Sequence, residues 1–445
     1  MNRTIAVLLA CGWAAAVSAQ TETLPATLTP IGAERAASAD GVIPAWSGGL
    51  QAGQVSLSVN GTPLDPYADE QPLFTITAAN AAQYQQHLSA GQLALLKRYP
   101  DTYRLPVYAT HRSVAVPAKV AHWASINAAH AHLSDDGNGL SEFVGVVAFP
   151  QPRSGLEVLW NHLTRPRNGS YSQASDSLIP RGPGQYVLTS ARQAFARPDA
   201  LPGWTPDHPS EVLYYFSHQM TAPTRLAGEA LVMHETLDQV AQPRLSWLYS
   251  AAMRRVRRAP GVDYDSITPG TGGLRTADSR DMFSGAPDRY DWKLLGKKTL
   301  YVPYNSYRLA SPALPYAELI GPGHVPAAPT RYELHRVWEV LGTLKPGAEH
   351  LYASRRYYVD EDSWAILEAD FFDARGALWR TAQAHSYYHV VGEAPVNAME
   401  VIYDLRSGRY QLSGLTNQQP RPFDFNVATT ASHFSPGGLR SRSVR

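Results

Sequence analysis

Cysteine is almost absent from this chain of 445 residues, and its single cysteine is Cys11. Cys11 lies within an uncharged, largely apolar run, residues 5–17, that follows Arg3. If this run is removed during export, the remaining chain has no thiol. A disulfide, a thiolate nucleophile and a cysteine-bound metal are then excluded.

The N-terminus has the three parts of a secretory signal peptide. Arg3 precedes the apolar run, and Val17-Ser18-Ala19 supplies the small residues of a cleavage site. We therefore predict that residues 1–19 are a signal peptide. Lipoprotein processing at Cys11 and an uncleaved anchor are alternatives, but the run continues past Cys11 and is short for a membrane span. No later segment of the sequence resembles a transmembrane helix.

The sequence also lacks an excess of positive or negative charge. The chain has 39 basic and 38 acidic residues, and Arg3 is the only charged residue of the predicted signal peptide. The remainder therefore has 38 residues of each sign and is formally neutral. General binding of nucleic acid requires a net basic surface, so we predict no nucleic-acid partner.

Strong catalytic motifs are missing as well. The sequence has no Gly-x-Ser-x-Gly elbow, no phosphate-binding glycine loop, no His-Glu-x-x-His zinc motif and no dinucleotide fingerprint. We therefore predict a protein that is not an enzyme and that uses neither a cofactor nor a metal.

Two polar groups leave alternatives open. The run 360–362, Asp-Glu-Asp, is predicted in a turn, where adjacent acids are usually solvated; with His335 it would suit a hydrolase that uses carboxylates. His130 and His132, on or near the same predicted helix as His122, are two residues apart. They would point to different faces of a helix, which suits a metal poorly.

Aromatic residues, by contrast, are plentiful. The 24 tyrosines and 10 tryptophans favour strands and apolar walls with polar rims. Residues 20–75 are rich in Pro, Gly, Ala and Thr without periodicity, and we predict an extended N-terminal arm. The following segment has the cap residues and apolar spacings of helices. The predicted helices are 78–88, 92–99, 117–133 and 155–163.

From about residue 184 the hydrophobic pattern alternates with a period of two, which is typical of strands. Short turns separate these segments, and no useful helical pattern follows residue 330, so consecutive strands are expected to pair antiparallel. We predict a mainly β (α+β) fold in residues 76–430. It is one large curved antiparallel sheet or incomplete β-barrel, with helices covering the concave face and a basic tail at 431–445. The predicted strands are 186–195, 211–220, 230–240, 245–251, 290–304, 331–343, 350–359, 365–372, 378–390, 398–405 and 408–415.

The alternation of apolar and polar residues also indicates candidate ligand-binding residues. Trp247 and Tyr249 share one side of their strand, while Leu334, Trp338 and Val340 share one side of another. We predict that these side chains point into the covered face of the sheet, as core or as the wall of an apolar cavity. Arg255 and Arg257 belong to an arginine cluster just past the aromatic strand. They are predicted at a strand end or loop near the rim, either solvated or binding a lipid phosphate or carboxylate.

Several strings identify a family resemblance. They are LTPIGAER at 28–35, ADGVIPAWSGG at 39–49, YADE at 67–70, LFTI at 73–76, YPDTY at 99–103, PVY at 106–108, HETLD at 234–238, RRVRRAP at 254–260, DMF at 281–283, GAPDRYDW at 285–292 and YELHRVW at 332–338. The strings occur in order from about Leu28 to about Phe425. They resemble an uncharacterised family of exported Gram-negative proteins, often labelled outer-membrane lipoprotein-sorting proteins.

This resemblance implies a fold and a function but no catalytic residues. The family is similar to an enlarged, distant relative of the Lol lipoprotein carriers, whose incomplete β-barrel is lidded by helices. Its members often accompany export pumps and an outer-membrane partner. Our hypothesis is therefore a periplasmic carrier of a lipid or other long apolar molecule, associated with the outer membrane through its pathway. The alternative is a non-enzymatic periplasmic adaptor or scaffold for an export pump or outer-membrane protein.

Overall fold

The computed structural model describes residues 24–206, 210–259 and 264–443. The predicted signal peptide and the alternative processing site at Cys11 therefore lie outside the described residues. Within those three ranges, no helix combines the length and the apolar composition needed to cross a bilayer.

Strands make up most of the regular structure in the described ranges, and the prediction of a mainly β fold is confirmed. The strands are β1 (Phe74–Ile76), β2 (Leu105–Val107), β3 (His132–Leu133), β4 (Leu140–Ser141), β5 (Ser170–Gly182), β6 (Gln185–Ala196), β7 (Val212–Ala222), β8 (Ala230–Thr236), β9 (Leu245–Ser250), β10 (Arg255–Arg258), β11 (Tyr290–Pro303), β12 (Tyr332–Leu344), β13 (Ser354–Asp360), β14 (Ile366–Phe372), β15 (Leu378–His389), β16 (Ala394–Asp404), β17 (Tyr410–Leu415) and β18 (Phe423–Phe425).

One large sheet contains sixteen of these strands. Its order is β1-β2-β12-β13-β14-β15-β16-β17-β5-β6-β7-β8-β9-β10, with β11 paired to β12 and β18 paired to β5. Every pairing is antiparallel except the contact between β2 and β12, which is parallel. The two ends of this order do not meet, so the sheet stays open rather than closing into a barrel.

The helices are few, and side-chain caps start two of them, α1 and α3. They are α1 (Ala90–Arg98), α2 (Ala118–His130), α3 (Gly155–Leu163), α4 (Tyr307–Ala310) and α5 (Pro436–Ser443). Ser89 and Gln92 form a reciprocal capping box that starts α1, with both hydrogen bonds at 3.0 Å. Ser154 caps α3. Helix α1 packs on β14 and β15, whereas α3 packs on β11 and β12.

Two local predictions are wrong. The helix expected at 78–88 is a 3₁₀ helix, Ala81–His87. The sheet begins before residue 184, because β5 spans Ser170–Gly182 and pairs with β6 and β17. Four of the 13 residues of β5 are serines, so it lacks the apolar alternation that marks most buried strands.

Residues near both ends of the described chain pack against the sheet domain. In the N-terminal arm, Ile31 is 1% exposed, and its carbonyl oxygen accepts a hydrogen bond of 2.9 Å from the Trp364 indole. At the other end, Phe434 and Leu439 of the C-terminal segment are buried against Tyr249. Apolar contacts with the sheet therefore hold both segments.

Candidate functional site

A cavity of about 900 Å³ lies against strands β5 to β9. Along β7 the lining residues are Phe216, His218 and Met220, which are two residues apart and so share one side of the strand. We call this side of β5–β9 the cavity face. The size falls within the range of ~300–1,000 Å³ that is typical of small-molecule pockets.

The wall formed by β7 to β9 is largely apolar. Phe216, Met220, Leu231, Met233 and Leu248 all line the cavity. Leu248 is 45% exposed and therefore marks an open mouth near the edge of the sheet. Burial lowers the pKa of His218 to about 4, with Arg280 adding to the effect, so this imidazole is neutral at pH 7.

Residues 264–289, which we call the cover loop, form the wall opposite the strands. Much of this segment lines the cavity, including Ile267, which is 46% exposed at the surface. Because the loop has little regular structure, its position depends on side-chain contacts with the sheet.

Arginine side chains attach the cover loop to the sheet. Arg355 of β13 donates to Asp278 at 2.8 Å, and Arg275 of the loop donates to Glu400 of β16 at 2.9 Å. Arg380 of β15 donates to the carbonyl oxygens of Gly273 and Leu274, both at 2.9 Å. Charge-assisted hydrogen bonds between buried groups fix a loop more firmly than neutral ones, so the cavity has a defined wall.

One end of the cavity is cationic. Arg165 and Arg167 both contact the carboxylate of Asp281, and the distance from Arg167 Nη2 to Asp281 Oδ2 is 2.6 Å. The two guanidinium groups hold the pKa of Asp281 below its usual range, although burial raises it. Arg280 donates from Nη2 to the Tyr214 hydroxyl at 2.6 Å. These arginines line the same cavity as the apolar wall.

None of the seven residues predicted for ligand binding lines this cavity. Trp247 and Tyr249 lie on the other side of β9, because the lining residues of this strand are Ser246 and Leu248. Tyr249 is 2% exposed and packs beside Phe434, while Trp247 packs edge-on against His234.

The three predicted residues of β12 are packed among other side chains. Leu334 is buried in a cluster with Tyr301, and Val340 is buried in a different cluster. Trp338 is half-buried and stacks on Trp364 with 6.2 Å between ring centroids. The alternation along β12 therefore found inward-facing side chains, while their role in ligand binding stays a prediction.

Arg255 and Arg257 are exposed on β10. Arg257 lies directly opposite Leu248 in the register of β9 and β10. Opposed residues of an antiparallel pair project from the same side of the sheet, so Arg257 stands beside the mouth of the cavity. Its neighbour Arg258 lies opposite Trp247 and projects from the other side.

Sequence reasoning missed the residues that do form the cavity. The polar part of the lining includes Ser175 of β5 and Gln193 of the neighbouring β6. The side-chain amide of Gln193 donates a hydrogen bond of 3.1 Å to the Ser175 hydroxyl. Arg280 and Asp281 stand in a loop without periodicity. One sequence feature could have indicated them: Asp281 is the first residue of DMF at 281–283, a string that belongs to the family resemblance.

The acidic turn Asp360-Glu361-Asp362 is buried, which corrects the expectation that it is solvated. One ligand atom each from His335, Asp360 and Asp362 lie within 4.8 Å of one another. However, Arg112 donates to both oxygens of Asp362, at 2.8 and 2.6 Å. A metal ion here would share Asp362 with a guanidinium cation, so the group fits an internal ion-pair network better than a metal site.

Sequence comparison assigns the chain to a family. A family model described as protein of unknown function, DUF1329, matches residues 75–440. The chain belongs to the DUF1329 family. Within it, the uncharacterized protein PA3922 of Pseudomonas aeruginosa is 51% identical over 98% of this chain and 96% of that protein. The resemblance found in the sequence strings is thereby confirmed at the level of the family.

Solved structures are similar to this DUF1329 protein at low identity. One is a domain from Vibrio parahaemolyticus that is named as an outer membrane lipoprotein-sorting protein. It is 12% identical, with a TM-score of 0.41, over 61% of this chain and 92% of that chain. Another is the LolA superfamily protein NE2245 from Nitrosomonas europaea. It is 10% identical, with a TM-score of 0.37, over 64% of this chain and 98% of that chain.

Proposed function

We propose that this protein is a periplasmic carrier that binds a lipid or another long apolar molecule in the cavity on β5–β9. The observation that carries the proposal is the largely apolar wall of Phe216, Met220, Leu231, Met233 and Leu248 inside an open cavity. A site of this kind shields an apolar chain without covalent chemistry, and we assign it no catalytic step.

The free energy of hydration explains why such a carrier is needed. Exposing an acyl chain of about 16 carbons to water costs about 12 kcal/mol, at about 0.8 kcal/mol per methylene. A lipid that crosses an aqueous compartment therefore requires a protein surface that replaces the membrane interior. We place the protein in the periplasm, in line with the export segment that the sequence predicts.

The adaptor hypothesis is less well supported. A scaffold would be expected to have a filled sheet interior, whereas this sheet leaves about 900 Å³ open between its cavity face and the cover loop. An export pump and an outer-membrane protein remain proposed partners that would deliver or receive the ligand.

Native mass spectrometry of the mature protein tests this function. The protein is purified gently and then incubated with vesicles of phosphatidylethanolamine and phosphatidylglycerol. We expect a lipid adduct on the wild-type protein. Leu248→Trp adds bulk at the cavity mouth and should reduce the adduct about tenfold or more. Leu73→Trp is the matched control, because Leu73 is 67% exposed and does not line the cavity.

Two results would overturn the carrier function. One is a wild-type protein that neither retains lipid on purification nor accepts it from vesicles. The other is an equal loss of adduct in Leu248→Trp and Leu73→Trp, because the cavity would then not be the site of binding.

A further inference from the structure

We propose that the cavity selects amphiphiles whose head group is an anion, a carboxylate or a phosphate, and that Arg280 binds that head group. This inference rests on the proposed carrier function and names the chemical class of its ligand. The charges at the cationic end of the cavity support it.

At the cationic end of the cavity, Arg280 makes no ion pair with any carboxylate among the described residues. Arg165 and Arg167 share the one carboxylate of Asp281, and Arg244 is paired with Glu235 at 2.6 Å. Among the described residues, no carboxylate oxygen lies within 4.0 Å of the Arg280 guanidinium. The cationic end therefore has an excess of positive charge, which would attract an anionic head group.

The protein also holds the Arg280 guanidinium in place. Its carbon Cζ lies 4.4 Å from the ring centroid of Phe216, and its Nη2 donates to Tyr214 at 2.6 Å. A guanidinium has five N–H donors, and the hydrogen bond to Tyr214 uses one of them. The remaining donors are available for the paired oxygens of a carboxylate or phosphate, which guanidinium binds in a bidentate manner.

The apolar wall continues from this head-group position toward the mouth. Phe216 lies beside Arg280, and it is opposite Met233 in the register of β7 and β8. Two residues further along, Leu231 of β8 is opposite Leu248 of β9, which is the residue at the mouth. An alkyl chain whose head group is bound by Arg280 would therefore extend over Met233 and Leu231 and leave the protein past Leu248.

Ligands of equal chain length and different head-group charge test the selection. The probes are hexadecanoate, hexadecyl phosphate, hexadecan-1-ol and hexadecyltrimethylammonium, all below their micelle concentrations. Each displaces the neutral dye 1-N-phenylnaphthylamine from the full mature protein. We expect the affinity for the two anions to exceed the affinity for the alcohol by about tenfold or more, and the cation to bind most weakly. Comparison of the first two probes distinguishes a carboxylate ligand from a phosphate ligand.

Substitution of Arg280 tests its role. Arg280→Gln should lower the affinity for the anions about tenfold and leave the affinity for the alcohol unchanged, while Arg280→Lys should retain part of the preference. Arg258→Gln is the matched control: it removes the same charge from an exposed residue that projects from the other side of the sheet. Thermal unfolding of each variant verifies that it is folded.

The outcomes separate this inference from the carrier function. Equal binding of anion and alcohol would overturn the head-group inference and leave the carrier function standing. Failure of every probe to bind would overturn both. If Arg258→Gln reduces anion binding as much as Arg280→Gln, the preference arises from overall charge and not from Arg280. The wild-type comparison decides the selectivity even if Arg280→Gln does not fold.

Discussion

The rings of Tyr304 and His335 stack with 3.7 Å between their centroids, and the Tyr304 hydroxyl donates to Asp360 Oδ2 at 3.2 Å. Asp360 is fully buried, and its other oxygen has no hydrogen-bond partner among the described residues. Burial, with a smaller contribution from the charge of Asp362, raises the pKa of Asp360 to about 7. The folded protein therefore favours the protonated, uncharged form of Asp360.

The sign of the pH effect follows from this raised pKa. Below about pH 4, Asp360 is protonated in the folded and the unfolded chain alike. Between that pH and about pH 7, the folded chain holds a proton that the unfolded chain has released, so stability falls as the pH rises. The loss amounts to at most about 1.4 kcal/mol for each pH unit from this one group.

Asp360→Asn should remove this dependence on pH. Asparagine keeps an acceptor for Tyr304 and has no charge to bury. We expect the variant to match the wild type near pH 4 and to exceed its free energy of unfolding progressively toward pH 8, measured by urea titration. Asp424→Asn, at an exposed position, is the control. Parallel pH curves for wild type and Asp360→Asn would contradict the assignment.

Trp338 should matter for stability and not for the ligand. The ring packs on Trp364 and the neighbouring buried cluster, outside the cavity lining. We expect Trp338→Ala to lower the free energy of unfolding by about 2–3 kcal/mol. This is less than a fully buried tryptophan would lose, because the ring is half-buried and its indole N–H has no hydrogen-bond partner among the described residues.

The affinity of Trp338→Ala for hexadecanoate should equal that of the wild type, measured by dye displacement on the folded variant. Leu248→Trp is the comparison, since it should show the reverse pattern of weak binding and near-normal stability. A Trp338→Ala protein that is stable but no longer binds ligand would place the ligand site at β12 instead.

Two helical glycines should respond in opposite directions to alanine. A Cβ at Gly91 in α1 would lie 1.9 Å from Thr381 Oγ1 and 2.4 Å from Asp370 Oδ1, whereas at Gly437 in α5 its nearest neighbour is 3.7 Å away. Gly91→Ala should therefore destabilise the protein by about 1–3 kcal/mol through overpacking. Gly437→Ala should be neutral or stabilising by up to about 1 kcal/mol. Thermal unfolding of both variants measures this, and a stabilising Gly91→Ala would show that α1 can move away from the sheet.

Local sequence chemistry determined where several elements lie. The helix predicted at 92–99 begins within two residues of the start of α1, and the helix predicted at 155–163 has the bounds of α3. Alternation located β6, β9 and β14 to within one or two residues. These features are predictable because each depends on residues near one another in the chain.

Only the tertiary structure decided which side of the sheet encloses a cavity. Trp247 and Leu248 are adjacent and apolar, and nothing in their local pattern tells which one faces a ligand and which one packs beneath the C-terminal segment. Strand β5 was not predicted because several of its side chains form a polar part of the cavity lining. Its buried neighbours come from β6, β17 and the cover loop, so no apolar alternation was needed.

The sequence by itself determined the family, the strand-rich class and the approximate bounds of most strands and helices, because these follow from local spacing and local hydrogen bonding. The tertiary structure alone decided the burial of Asp360 and the position of Arg280 in the cavity. Both depend on contacts between distant parts of the chain: Asp362, next to Asp360 in the same turn, is paired with Arg112, and Arg280 meets Tyr214 and Phe216 of β7. Charge compensation inside a protein depends on such long-range contacts, and no local pattern records them.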